Sequence, residues 1–316
     1  ILCSFSTRAF VFPALRQHRS ITRTMATKID EEQLMNDMLS RVRAVNNMPQ
    51  DIRSTLLDFK VDGCKVGIVR PGIAEMLCNM KSSVFELKEE SDSQEQSYLT
   101  LTSDAGTSSD ERTEAVGNVM NQLRDEGFIR GWRDELYPVS ETFNSPAVFL
   151  MERTAVTLLG ITEYGVHING IVQESRKEEP KMWIARRSAT KSKFPGMLDH
   201  IVAGGQPAGI SLIDNVVKEC EEEAGIEESI VRAGVQPVGA ISYENWDPKT
   251  DKLTRCVLFN YDLYLPPDFE PKPVDGEVQG FMLWSMDQIK ESMASDYADP
   301  IKPNCYVVII DYLLRT

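Results

Sequence analysis

The sequence predicts a layered α/β domain preceded by a smaller α+β unit. Three observations carry that reading. Strand-like stretches recur through the second half, two strongly periodic helices stand among them, and the first half alternates shorter helices with single strands. Strands covered by helices each bury one face, as a layered domain requires. At 316 residues the chain has length for two domains, and 42% hydrophobic with 26% charged residues is an ordinary globular balance. No apolar run approaches the ~20 residues of a spanning helix. The richest, Tyr306 to Ile310, is cut by Asp311.

Residues 1–30 stand apart. The first 29 carry five basic residues (Arg8, Arg16, Arg19, Arg23, Lys28), seven Ser/Thr and no acid. That is the composition of an organelle transit peptide, with an untranslated leader upstream of Met25 as the alternative. The segment is expected to be disordered and to direct the chain to a chloroplast or other plastid, or to a mitochondrion. Without it the expected location is the cytoplasm.

Residues 31–147 are read as the α+β unit. Leu34, Met35, Met38, Leu39, Val42 and Val45 have helical spacing, ended by Asn46-Asn47-Met48-Pro49. A strand is expected around Val61 to Val69, then a helix after Pro71 with Ile73, Met76, Leu77 and Met80 on one face. The acidic stretch 88–114 holds one strand, Tyr98 to Leu101. A further helix carries Val116, Val119, Met120 and Leu123, with Gly127 placed to stop it.

Residues 148–316 are read as the layered domain. Strands are expected at Val156–Ile161, Val166–Val172 and Met182–Ala185, the last two joined by a charged turn from Glu174 to Lys181. Segments 236–243, 255–265 and 278–284 are strand-like as well. Helices run from about Ser211 to Ala224 and from about Pro303 to Leu314.

The chain has 34 Lys+Arg against 48 Asp+Glu, a net charge of −14. Phosphate backbones and anionic membranes demand a basic surface, so neither nucleic acid nor membrane is an expected partner. The six cysteines (3, 64, 78, 220, 256, 305) show no paired spacing and are read as reduced packing residues. His18, His167 and His200 form no metal-ligand pair; His167 and His200 are read as structural, and Trp183 as a core residue.

Chemistry concentrates between Gly204-Gly205 and Ile226. Ser211 can cap a helix, with Asp214 as its partner, and Ile213, Val216, Val217, Cys220 and Ala224 mark its buried face. Glu219, Glu222 and Glu223 then share another face near the C-terminal end. Mutual repulsion and the helix dipole both disfavour anions there, by about 0.3–1 kcal/mol each for the dipole. A solvated acidic face is one outcome. The other is a hard cation, Mg²⁺ or Mn²⁺, which oxygen-only ligands on a rigid helix suit.

The flanking pattern resembles the Nudix box, G-x5-E-x7-R-E-U-x-E-E-x-G-U with U aliphatic. Gly204 takes the first position, Glu219 the invariant Glu, Cys220 the U, Glu222-Glu223 the acidic pair and Gly225-Ile226 the end. Ile210 replaces the early Glu and Lys218 the Arg, the pair that normally braces the loop on the helix. Ile210 is expected to pack near the helix start, and Lys218 to neutralise Glu222 four residues on. Trp132 to Tyr137, Tyr164 to Gly170, Trp183 to Ser188, Lys193 to Asp199, Asp275 to Val278 and Lys302 to Cys305 extend the likeness. Together they are similar to the Nudix hydrolases that carry a DUF4743-type domain ahead of the Nudix domain.

That resemblance implies a Nudix α/β/α sandwich with a mixed sheet, and a metal-dependent hydrolase of small-molecule diphosphates. It implies Glu219, Glu223 and Glu222 as ligands of Mg²⁺ or Mn²⁺, with the Ala203 carbonyl beside them. Glu277 is either a general base or a turn carboxylate paired with a nearby Lys. Arg186, Arg187, Lys191 and Lys193 could meet the diphosphate, although at least two of them are expected to be surface charges. The resemblance points to thiamine diphosphate or its oxidised forms as substrate. Nucleoside-diphosphate sugars, dinucleotides, or a silent metabolite-binding regulator are the alternatives, and a homodimer is left open.

Overall fold

The computed structural model describes residues 30–89, 97–175 and 177–316, so the expected leader lies outside the described residues. The chain opens with α1 (Glu31–Val45) and the single turn α2 (Gln50–Arg53), then a hairpin of β1 (Leu57–Val61) and β2 (Cys64–Val69). The stretch from Val61 to Val69 was expected as one strand. Instead it turns at Asp62-Gly63, whose φ values of 51° and 81° are the paired left-handed conformations of a tight hairpin turn. Next come α3 (Pro71–Cys78), β3 (Phe85–Lys88), β4 (Tyr98–Leu101), α4 (Ser109–Asp125) and the hairpin β5 (Leu136–Val139) and β6 (Phe149–Glu152). The first sheet has the order β2-β1-β4-β3, with β1 and β4 parallel.

The second unit follows as β7 (Thr162–Val172), β8 (Lys181–Arg187), β9 (Leu198–His200), β10 (Val202–Gly205), α5 (Leu212–Ala224), α6 (Glu228–Gly234), β11 (Val235–Asp247), β12 (Lys252–Tyr264), β13 (Val278–Ser285), α7 (Met286–Glu291) and α8 (Pro303–Arg315). Its sheet runs β11-β12-β7-β8-β13, with β10 on β7 and β9 on β8. Only β7 and β12 pair in parallel, so the sheet is mixed as expected. β10 pairs the first half of β7, from Gly165 to Ile168, and β8 pairs the second half, from Gly170 to Val172. The sheet therefore splits along β7.

Alternation along β7 sets the layers. Val166, Ile168 and Val172 pack with Val216, Val217, Cys220 and Ala224 of α5. Ile171 faces the other way, with Met182, Ile184 and Leu198, against Cys305, Tyr306, Ile309 and Ile310 of α8. Each such aliphatic side chain contributes about 1.5–3 kcal/mol by leaving water. α1 joins this second layer, because Met38 packs with the α8 residues and Arg41 lies over the Tyr306 ring at 4.2 Å. Sequence order had placed α1 with the first unit.

Val156–Ile161 is not a strand. It is a 3-10 turn at Val156–Leu158 followed by Gly160 at φ +50°, where a Cβ would lie 2.3 Å from the Ile68 carbonyl oxygen. The stretch is apolar because Val156, Leu158, Leu159 and Ile161 all enter the first core, together with Phe149 and Met151. Residues 149–161, expected with the layered domain, thus pack with the first unit. Two further helices, α6 and α7, were too short for their periodicity to show.

Asp199 pins α8 to the sheet. Its buried carboxylate accepts from Arg187 at 2.5 Å, Lys302 at 2.9 Å and the Cys305 thiol at 2.7 Å. Burial acts against its charge, but Lys302 and Arg187 outweigh that and hold its pKa well below the carboxylate range. Asp199→Asn leaves two cations facing one neutral amide. It should cost about 3–5 kcal/mol in denaturant unfolding, as removal of one partner from a buried ion pair does.

Candidate active site

Local signals hold α5 at both ends. Ser211 Oγ accepts from the Asp214 amide at 3.2 Å and donates to the Asp214 carboxylate at 2.6 Å. At the other end Gly225, at φ +62°, takes the left-handed conformation that closes a helix. The Ile226 amide then donates to the Cys220 carbonyl at 3.0 Å. With Val216, Val217, Cys220 and Ala224 buried, the carboxylates at 219, 222 and 223 are left along the other side of the last turns.

The structure brings these carboxylates to β10. A Cβ at Gly204 would lie 2.2 Å from the Glu219 carboxyl carbon, so a side chain there would displace the carboxylate from this position. Glu223 accepts from the Ala203 amide at 3.0 Å. Lys218 reaches Glu219 at 3.2 Å and Glu222 at 2.7 Å, the i+4 contact its spacing predicts. Burial raises the Glu219 carboxyl, Lys218 opposes the rise, and Glu222 and Glu135 add to it. Burial also pushes Glu223 up to about 8; the Ala203 amide opposes this, while Asp199 and Glu219 reinforce it. Two desolvated, mutually repelling carboxylates beside a backbone segment are an electrostatic cost that a hard cation would relieve.

The loop from Gly205 to Ser211 lacks the expected Glu–Arg brace, and two residues passed over in the sequence replace it. Buried Asn215 donates to the Gly205 carbonyl at 2.8 Å and to Gln206 Oε1 at 3.1 Å. Gln206 in turn donates to the Ile210 carbonyl at 2.8 Å. An Asn next to the buried valines of α5 was the available signal, since a buried amide needs partners.

Other expected residues lie elsewhere. Arg186 pairs with Asp299 and donates to the Gly196 carbonyl at 2.9 Å. Arg187 holds Asp199 and the carbonyls of Lys193 and Phe194 at 3.0 Å each. Lys193 is exposed; burial raises the nearby Glu163 carboxyl, and Lys193 and Arg153 oppose that rise. Glu277 sits before β13, paired with Lys191; its hydrogen-bond and ionic contacts among the described residues include none to α5. Burial works against the Glu277 carboxylate, yet Lys191, then Arg187 and Arg133, hold its pKa below normal. Trp183 packs partly buried beside the α5 layer.

Two expectations are corrected by the far face. His167 and His200, spaced too far apart in sequence to suggest a pair, meet Nδ1 to Nδ1 at 2.9 Å because β7 and β9 both present them to α8. Their ligand atoms and the Cys305 sulfur lie within 4.8 Å of one another. Burial lowers both imidazoles, His200 to about 4, so one neutral ring donates to the other. Lys302 and Arg187 already stand beside this group and oppose a further cation. Cys305 is also more than a packing residue, being bonded to Asp199.

The first unit reaches the same strand from the opposite side. A Cβ at Gly205 would lie 1.8 Å from the Tyr137 hydroxyl and 3.4 Å from Arg153 Cζ. Arg153 pairs with Glu135 at 2.8 Å over the Tyr137 ring. Nothing in the local sequence marks this contact except the glycine itself.

Comparison with known proteins agrees with this arrangement. A profile described as a domain of unknown function (DUF4743) matches residues 37–163, and one described as the NUDIX domain matches residues 164–305. The chain is similar to Nudix hydrolase 20, chloroplastic, of Arabidopsis thaliana, 49% identical over 206 residues, covering 65% of this chain and 53% of that one. It is 46% identical to Nudix hydrolase 24, chloroplastic, of the same plant, covering 65% and 54%. An uncharacterized protein of Saccharomyces cerevisiae is 32% identical over 266 residues, covering 80% and 75%. The chain spans about half the length of the two Arabidopsis relatives.

The raised Glu223 pKa has a consequence for metal-free stability. A carboxyl with a folded pKa above its unfolded value is stabilising below the unfolded pKa, and that stability is lost as pH rises through the folded pKa. With the folded value near 8, the loss falls between about pH 4.5 and 8. Glu223→Gln should therefore melt higher than the parent in chelator at pH 8, with the gap closing towards pH 5. An equal gap at both pH values in thermal melts contradicts the assignment.

Proposed function

The chain belongs to the Nudix hydrolase family, in the group with a DUF4743 domain ahead of the Nudix domain, and on that premise we propose that it is a metal-dependent pyrophosphohydrolase of a small-molecule diphosphate. The observation that carries this reading is the carboxylate pair Glu219 and Glu223, drawn together at Gly204 and Ala203. Their oxygens, with Glu222 and the Ala203 carbonyl, are a donor set suited to Mg²⁺ or Mn²⁺. A cation held there would offset the charge that grows on the phosphoryl oxygens during in-line displacement by water.

The residues divide the work. Gln206 and Asn215 hold the loop so that the Ala203–Gly205 backbone stays against α5. Lys218 screens Glu222 and Glu219 from each other. Glu277, held acidic by Lys191, is a poor base near neutral pH, so the proton of the attacking water goes to a helix carboxylate in this reading. The resemblance supports thiamine diphosphate or its oxidised forms as substrate, cleaved to the monophosphate and phosphate, and the two chloroplastic relatives support a plastid location.

A panel of thiamine, nucleotide-sugar and dinucleotide diphosphates, assayed for phosphate or monophosphate release with Mg²⁺ and Mn²⁺, tests both levels. Turnover should appear on one class and vanish in chelator. Glu219→Gln and Glu223→Gln should each fall below about a tenth of parental turnover, whereas Lys218→Ala should lose less than about tenfold. Silence on every diphosphate would favour the binding-regulator alternative.

A further inference from the structure

A diphosphate brings several negative charges to a site that is itself anionic, so a cationic side chain at its edge must meet it. Apart from exposed Lys193, the second unit's own cations near the site are engaged. Arg186 is tied to Asp299, Arg187 and Lys302 to Asp199, Lys191 to Glu277, and Lys218 to the helix carboxylates. Arg187 and Lys302 are also largely enclosed, at 14% and 11% side-chain exposure.

Arg153 is ion-paired too, but through a single nitrogen, which leaves more of its fork unengaged than in Arg186 or Arg187. Its side chain is 41% exposed, and among the described residues its one hydrogen-bond partner is Glu135, engaged through Nη1. The rest of the fork is left to accept a ligand. The guanidinium lies over the Tyr137 ring at 5.3 Å, which orients it, and within 3.4 Å of the Cβ position of Gly205. Successive residues of a strand face opposite sides, so Gly204 meets Glu219 on one side of β10 while Gly205 meets Tyr137 and Arg153 on the other. β10 pairs with β7 along one edge, so a ligand at its other edge beside Gly204-Gly205 would reach both sides.

Resting on the hydrolase reading, we infer that Arg153 of the first unit binds the substrate diphosphate, with Tyr137 and Glu135 as its positioning residues. The DUF4743 unit then forms one wall of the active site, and the Nudix unit alone lacks the arginine that its substrate needs.

The test uses the full chain and two readouts. Calorimetric binding of inorganic pyrophosphate with Mg²⁺ should weaken about tenfold or more in Arg153→Ala. On the best substrate KM should rise by a similar factor while kcat changes less than about threefold. Arg153→Lys should recover part of the affinity, since charge is kept and the fork is lost. If alanine lowers Tm by more than about 2 °C, Arg153→Gln, which keeps the first part of the stem and a planar uncharged amide, replaces it. Pyrophosphate affinity and KM within about twofold of the parent in Arg153→Ala would overturn the inference, as would a parent chain that does not bind pyrophosphate. A parent chain that binds pyrophosphate through Arg153 but hydrolyses no diphosphate would overturn the hydrolase reading alone.

Discussion

The backbone at Gly204-Gly205 is the constraint on which the site depends. Two adjacent residues without side chains let a carboxylate close in on one side of β10 and a tyrosine on the other. Either approach is closer than a Cβ permits. The first brings Glu219 against the strand that carries the Ala203 carbonyl. The second docks the β5–β6 hairpin of the first unit onto the second. One short strand thus joins the candidate metal ligands, the Gly205–Ser211 loop and the unit boundary, and a side chain at either glycine would displace one of them.

Charge is arranged around that strand with little slack. A chain of net charge −14 gathers carboxylates on α5 where repulsion, burial and the helix dipole all act against them. It then commits most neighbouring cations to structural work, above all at Asp199, where Arg187 and Lys302 fasten α8 to the sheet. Such a site is poorly stable by itself and well suited to a divalent cation and an arginine from outside its own fold. The same economy explains why residues that look like phosphate ligands in the sequence, Arg186 and Arg187, end up bonded to Asp299, Asp199 and loop carbonyls. Guanidinium groups beside a free carboxylate, buried at Asp199 and half-exposed at Asp299, pair with it.

The site was legible to the extent that its determinants are local. Helix α5, its Ser211 cap, its Gly225 stop and the row Glu219, Glu222, Glu223 all follow from spacing within a few turns. So does the Lys218–Glu222 contact, because four residues is one turn of helix. Most strands of the second unit and its two long helices followed from apolar periodicity in the same way, whereas the mixed sheet is what the family resemblance implies. Apolar content shows burial but not local geometry. Val156–Ile161 looked like a strand because it is buried, and burial alone does not choose between a strand and a 3-10 turn.

What the sequence determined by itself is therefore the family, the layered fold and the carboxylate row, each written in residues close together along the chain. Only the tertiary structure decided which distant residues meet. It set His167 against His200, gave Asp199 its two cations, replaced the missing loop brace with Gln206 and Asn215, moved α1 onto α8, and brought Tyr137 and Arg153 to Gly205. These contacts depend on how strands separated by many residues register and which face each side chain takes. Spacing along a chain carries no record of that until the sheet has closed.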